Sequence, residues 1–300
     1  MRAEYSILWL IALLLISSCQ KDFNIDPQKT GNELVINSLF NDYYPMTVYV
    51  TRSFPIGATN NYMTAIPDAR VELYEDNIFK EVMHYVPSDT QAAFGAYLSD
   101  LIPKQGKSYT VKTFDASYLN ATTTDQIPMS AQLITYDLQQ YQDTALHPTA
   151  NMYMVFKDDP AVQNYYRINV WISGMRMYIS SQGDTSYAFE NYAIEPFPQS
   201  PLNDTVRDGN FLLFSDRGFN GQEKNLQLSF NTINRTGFKT LNVYVELHTV
   251  SKAHYQYFKT LNFYRTTGWS AEPVFIYSNV NNGLGDFVAE HWQTMTFAVR

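Results

Sequence analysis

Side chains able to do acid–base or metal chemistry are thinly spread along this chain. Its five histidines are His84, His147, His248, His254 and His291, and none stands at the H-E-x-x-H spacing that puts two ligands and a base on one helix face. His248 ends one strand-like run and His254 begins a helix-like one, so the two could approach across the turn between them. Read alone, they are two unrelated surface or boundary histidines. Asp158-Asp159 precede Pro160 and read as a turn. Asp204 to Asp208, followed by Gly209-Asn210, is rich in oxygen atoms but lacks the spacing and the distal glutamate of a calcium loop. Asp286 and Glu290, beside a glycine-rich stretch, read as solvated carboxylates. There is no G-x-S-x-G elbow for a serine nucleophile and no GK[ST] ending for a phosphate loop. No catalytic residue, metal or cofactor is assigned. Aromatic side chains are the abundant resource, with 23 tyrosines, 19 phenylalanines and 4 tryptophans. Trp171, Tyr187, Trp269 and Trp292 are the candidates for ligand or partner contacts, because aromatic faces stack on sugars and anchor protein partners. The competing expectation for each is ordinary sheet packing.

One further residue carries chemistry of a different kind. Cys19 is the only cysteine, so no internal disulfide is available to an exported chain. It follows Arg2 and an apolar run, Tyr5 to Ile16, of about the 7 to 15 residues of a secretory signal. That run falls short of the roughly 20 apolar residues of a membrane helix. Ile16-Ser17-Ser18-Cys19 resembles the bacterial lipobox, in which the cysteine thiol is diacylated and, after cleavage before it, the new amine is acylated. Each buried acyl CH₂ contributes about 0.8 kcal/mol of membrane affinity, and more than one chain makes anchoring stable. Gln20, Lys21 and Asp22 resemble the surface-export signal found just after the lipidated cysteine in Bacteroidota lipoproteins, with Phe23 where another acid is usual. The expected location is the outer membrane, lipid-anchored and facing outward.

The elements that would position these residues are strands. An apolar fraction of 45% is that of a globular chain, and a net charge of −8 without a basic stripe excludes the electrostatic footprint of a nucleic-acid binder. Period-two alternation dominates: Met46, Val48 and Val50 against Thr47, Tyr49 and Thr51; Ala69, Val71 and Leu73 against Arg70, Glu72 and Tyr74; Leu241, Val243, Val245 and Leu247 against Asn242, Tyr244, Glu246 and His248. The fold class is all-β. The organisation read from it is a signal peptide over 1–18, a lipidated tether over 19–32, an immunoglobulin-like β-sandwich over 33–128, a connector over 129–149, and a larger antiparallel β domain over 150–300 with one short C-terminal helix. That helix is read over Ser251 to Arg265, with Ser251 as its cap and Tyr257, Leu261 and Tyr264 as its apolar stripe. Glu195 to Asn210 reads as an exposed loop, and Pro273 to Val280 as a strand. In Asn282-Gly283-Leu284-Gly285 the glycines allow positive φ and close backbone approach.

The segments LVINSLF, VTRSFP, ARVELYED and AEPVFIYSNVNNGLGDF, in this order behind the lipid cysteine, resemble a Bacteroidota lipoprotein family known as domain of unknown function 4249. The most specific part is Ser278 to Gly285. The resemblance implies a surface lipoprotein, often linked to outer-membrane TonB-dependent receptors, without established catalytic residues. Thr144 and Thr205, in Asp-Thr-Ala and Asp-Thr-Val, resemble acceptors for O-glycosylation in exported Bacteroidota proteins. The expected function is a non-catalytic binding or accessory module of a TonB-dependent uptake system, with a cell-surface hydrolase of glycans or peptides as the alternative.

Overall fold

Alternation of apolar and polar residues becomes alternation of burial in the first strand, where Leu34, Ile36, Ser38 and Phe40 point inward and the residues between them outward. The computed structural model describes residues 33–54, 64–88, 95–142, 149–233, 237–267 and 274–299. Cys19, Gln20, Lys21, Asp22, Thr144, His147 and Trp269 lie outside them.

In chain order the strands are β1 (Leu34–Phe40), β2 (Thr47–Arg52), β3 (Arg70–Glu75), β4 (Ile78–Val82), β5 (His84–Val86), β6 (Ala96–Leu98), β7 (Ser108–Phe114), β8 (Ala121–Gln126), β9 (Gln132–Gln142), β10 (Thr149–Lys157), β11 (Tyr165–Ile179), β12 (Thr185–Ile194), β13 (Pro196–Pro198), β14 (Val206–Arg207), β15 (Phe211–Ser215), β16 (Glu223–Asn231) and β17 (Phe238–Val250). The helix α1 (Lys252–Thr267) follows, then β18 (Val280–Asn281) and β19 (Phe287–Ala298). Among the described residues the fold is all-β with a single short helix near the C-terminal end. The segment read as a connector contains β9, paired along β10. The segment read as a loop contains the short β13 and β14. The strand read over Pro273 to Val280 is irregular over 274–279 and pairs only from Val280 onward.

A ten-stranded sheet, ordered β14-β15-β11-β17-β19-β1-β2-β6-β5 with β12 also on β11, forms the wall of the molecule. Two smaller sheets, β13-β16-β10-β9 and β18-β8-β7-β3-β4, cover it. The first encloses a core of Met152, Met154 and Phe156 against Ile168, Val170, Val243 and Val245. The second encloses Val71, Leu73 and Val111 against Leu34, Ile36, Val48 and Val50. Each such fully buried side chain contributes about 1.5–3 kcal/mol by leaving water. β19 serves both cores, with Phe287 and Ala289 in one and Met295 in the other. These three share one parity, so both small sheets lie on the same face of the wall. Residues of the other parity, Glu290, Trp292 and Thr294, look out of the opposite face.

Two turns fix this arrangement. Asp76 and Asn77, both at positive φ (50° and 65°), make the two-residue hairpin between β3 and β4. The C-terminal glycine motif carries the chain from β18, which pairs with β8, onto β1. Positive φ falls on Asn282 (58°) and Gly285 (119°), while close approach is made by both glycines, since a Cβ on Gly283 would lie 2.6 Å from the Leu34 carbonyl oxygen. Leu284 exchanges backbone hydrogen bonds with β1, donating to Leu34 at 2.8 Å and accepting from Ile36 at 2.9 Å. β19 then runs parallel to β1, Ser38 opposite Phe287. The first and last strands of the described chain are therefore neighbours, which no local pattern announces.

The helix begins where its cap places it, the Ser251 hydroxyl accepting from the His254 amide at 3.1 Å. Its buried face differs from the expected stripe. Ala253, His254 and Tyr255 are the buried positions, whereas Tyr264 is 52% exposed. The reason is that the first turn packs its side chains on the sheet, Tyr255 stacking on Tyr165 at 4.5 Å, whereas the later turns reach it through polar groups, Asn262 donating to the Arg207 carbonyl at 3.1 Å and Arg265 pairing with Asp208 at 2.8 Å.

Candidate functional site

On the outer face of the wall, β11, β17 and β19 set polar and aromatic residues side by side. The register pairs Arg167 with His248 and His248 with Trp292; one row further it pairs Asn169 with Glu246, and beyond that Trp171 with Tyr244. Two of these strands alternate strictly, so every second residue that leaves the core must face this surface.

Beneath it lies a buried ionic network. His248 is held between two carboxylates, its Nε2 3.2 Å from Glu246 Oε2 and its Nδ1 3.1 Å from Glu290 Oε2. Arg167 Nη1 lies 3.5 Å from Glu290 Oε2 and 3.3 Å from His254 Nε2. The Asn169 amide and the Trp171 indole each donate to Glu246 Oε2 at 3.2 Å. Asn169 Nδ2 also lies 3.0 Å from His248 Nε2. Phe211 and Phe258 flank the Arg167 guanidinium at 5.3 and 5.8 Å.

Protonation follows from this geometry. Burial alone would lower His248, but its bonds to Glu246 and Glu290 outweigh that and raise it. Burial would raise Glu290, yet the bond and charge of His248, with the charge of Arg167, hold it down at about 2. Glu246 is lowered against its burial by the His248 bond and charge and by donation from Asn169 and Trp171. His254, fully buried, is pushed down to about 3 by desolvation, and its Nδ1 has no hydrogen-bond partner. Glu246 and Glu290 thus converge on His248, with Arg167 beside Glu290, and each carboxylate favours the protonated imidazole as the imidazole favours the ionised carboxylates.

These positions correct two expectations. His248 and His254 are not separate boundary histidines, being 3% and 0% exposed and joined through Glu290 and Arg167. Glu290 is not solvated at 5% exposure, and half-buried Asp286 is pushed up to about 7 by burial. Among the described residues, no group of three His, Cys, Asp or Glu side chains is arranged to hold a metal ion.

Above the network is a depression of about 280 Å³ lined by Trp171, Ser173, Phe189, Asn191, Tyr244 and Glu246. Its floor is small and polar, the Ser173 hydroxyl donating to Asn191 Oδ1 at 2.8 Å. Its walls are aromatic, Trp171 beside Tyr244 at one end and Phe189 at the other. Trp292 touches the same network from the far side, stacked on His248 at 5.6 Å and packed against Tyr43 at 4.6 Å. Of the four aromatic candidates, the structure brings Trp171 and Trp292 onto one network. Tyr187 is 49% exposed on β12, under Lys239 at 5.4 Å, and does not line the depression. Thr205 is exposed in the turn before β14. His291 faces away, bound to Asp42 at 2.9 Å.

Glu246, Glu290, Arg167, Asn169, Tyr244, Phe189 and Asn191 are site residues that motif reading misses. The available signal was polar residues at every second position of β11 and β17, which marks a polar face without saying that the two faces coincide.

Comparison with known proteins yields a family model described as "Domain of unknown function (DUF4249)", matching residues 20–296. No curated protein matches the sequence. Among solved structures, similarity is found to one titled as manganese lipoxygenase of Gaeumannomyces graminis and partial zonadhesin of Komagataella pastoris. It is 8% identical, covers 88% of this chain and 95% of that one, and has a TM-score of 0.21. A second is the collagen binding domain of Erysipelothrix rhusiopathiae surface protein RspB, 7% identical over 90% of this chain and 96% of that one, with a TM-score of 0.20. At such scores neither likeness bears on fold or activity. No helix among the described residues is long and apolar enough to cross a membrane.

Proposed function

The chain belongs to the DUF4249 family, and on that premise we propose that it is a lipid-anchored, outward-facing outer-membrane lipoprotein of Bacteroidota type, a non-catalytic binding module serving a TonB-dependent receptor. The observation that carries the binding role is the aromatic-walled depression on the outer face of the wall, floored by polar side chains and backed by a buried ionic network. Small-molecule sites combine apolar walls with a few fixed polar groups in this way. The lipid anchor is supported by the apolar run ending at Cys19 and the Gln20-Lys21-Asp22 tether behind it.

The hydrolase reading is less favoured by the same geometry. A glycosidase working at this depression needs there one carboxyl group that keeps its proton near neutral pH. Glu246 and Glu290 are both held ionised on either side of one imidazole, which suits acceptors rather than a proton donor.

Expression in a Bacteroidota host with labelled palmitate is expected to label the chain, with the label lost in Cys19→Ala. Affinity recovery from detergent-solubilised outer membrane is expected to bring down a TonB-dependent receptor. Labelling that survives Cys19→Ala overturns the anchor. Recovery without a receptor, together with turnover of a polymer that is lost on changing one carboxylate, overturns the accessory role.

A further inference from the structure

The depression has more specific chemistry than a generic binding surface. Trp171 and Tyr244 stand opposite each other on β11 and β17, and Phe189 stands opposite Met175, four residues along β11 from Trp171. At about 3.4 Å per residue the two walls rise about 14 Å apart, room for one or two six-membered rings. Between them Ser173 and Asn191 make a low floor. Phe189 is 68% exposed, so its ring is open to a ligand rather than packed in the core.

The polar groups are fixed with particular valences left open. Among the described residues, the hydrogen bonds to Glu246 all fall on Oε2. Its side chain keeps 21% of its surface and lines the depression, so Oε1 is available as an acceptor. Asn191 uses Oδ1 to accept from Ser173, which orients its amide with Nδ2 free to donate. A charged acceptor and an amide donor beside aromatic faces match vicinal hydroxyls on a ring whose C–H face is apolar.

The open valence of Glu246 separates this ligand from its main rival, a cation. Aromatic rings with an exposed carboxylate also suit a cation, but Glu246 Oε2 is already taken up by contacts with Asn169, Trp171 and His248, which leaves Oε1 alone facing the depression. A cation is held best by a carboxylate with both oxygens open, whereas a ring hydroxyl needs the single acceptor that Oε1 supplies. We propose that this depression binds a neutral pyranose ring of a glycan, stacked on Trp171 and Tyr244 and hydrogen-bonded to Glu246 Oε1 and Asn191 Nδ2. This rests on the reading of the outer face as a binding surface and names its ligand class.

The test uses the full chain in a detergent that contains no sugar, with the methyl glycosides of glucose, galactose, mannose and N-acetylglucosamine as probes and choline and N-acetyl-lysine methylamide as cationic counterparts. Saturation-transfer NMR is expected to show ring protons of at least one glycoside in contact, with millimolar affinity. Trp171→Ala should weaken it about tenfold or more, and Asn191→Ala, an exposed position that leaves the fold alone, by several fold. Trp171→Phe, which keeps a ring for stacking, should retain most binding. The proposal is overturned if no glycoside gives a signal that depends on Trp171 and Asn191, or if only the cations do. Receptor recovery by Trp171→Ala, run in parallel, reports on the accessory role separately, since a lost sugar signal with an intact receptor complex, or the reverse, distinguishes the two.

Discussion

Glu290→Gln is expected to lower the unfolding free energy by about 3–5 kcal/mol at pH 7, the cost of removing one partner from a buried ionic group, measured by urea unfolding. Two lines of reasoning agree on this size. The glutamate is depressed from 4.5 to about 2 in the folded chain, and about 1.4 kcal/mol per pH unit makes that roughly 3 kcal/mol. The substitution also strands Arg167 and His248, both largely buried, with one carboxylate fewer between them. A loss under about 1 kcal/mol would mean that the network is wetter and weaker than its geometry indicates.

The same variant should change the shape of the pH profile. Glu290, with its folded value depressed, contributes stability that is present above the unfolded value and lost as pH falls through 4.5 toward about 2. His248, with its folded value raised, contributes stability that is complete below 6.5 and lost as pH rises through its higher folded value. His254, pushed down to about 3, must stay neutral, so stability also falls as pH drops from 6.5 to about 3. The native chain should therefore be most stable near neutral pH and lose stability on both sides. Glu290→Gln removes its own acid-side contribution and shrinks the alkaline loss, because His248 then has one carboxylate rather than two. An alkaline arm as steep as that of the native chain would show that Glu290 does not raise His248.

Much of the scaffold was legible because burial in a two-sided sheet writes itself as alternation: β1, β3, β7 and β17 follow their residue patterns closely. The helix was legible through Ser251, but its packed face was not, since an apolar stripe does not say which turn the sheet buries. Trp171 and Trp292 could be singled out as aromatics. What joins them could not, because Arg167 and His248 become neighbours only through the pairing of β11 with β17, and Glu290 joins them only because β19 returns beside β17. Each of these carboxylates and bases looks like an ordinary polar residue of an alternating strand until the register is known.

That register depends on the C-terminal glycine turn, and Gly285→Ala is expected to destabilise the chain by at least about 3 kcal/mol, lowering the melting temperature by about 10 °C. The added Cβ would lie 2.1 Å from the Ile36 carbonyl oxygen and 2.8 Å from Asn37 Oδ1, and the residue would keep a φ of 119° that L side chains rarely adopt. Neither fault can be relieved alone: moving the backbone away from β1 gives up the Leu284 and Asp286 bonds to Ile36 and Ser38. Gly183→Ala is the control. It has a φ of 90° with nothing within 4 Å, so it carries the conformational cost alone, about 1 kcal/mol. The difference between the two measures the close approach. Its consequence reaches the site, because Asp286 and Phe287 lead directly into the parallel pairing with β1 that sets Glu290 opposite Val250. A slip of one residue there would turn Glu290 toward the core and an apolar neighbour toward His248. Gly285→Ala should therefore disturb the fluorescence of Trp292, which stacks on His248, even at temperatures where the chain remains folded. Equal destabilisation by the two glycine substitutions would show that the turn does not hold the register.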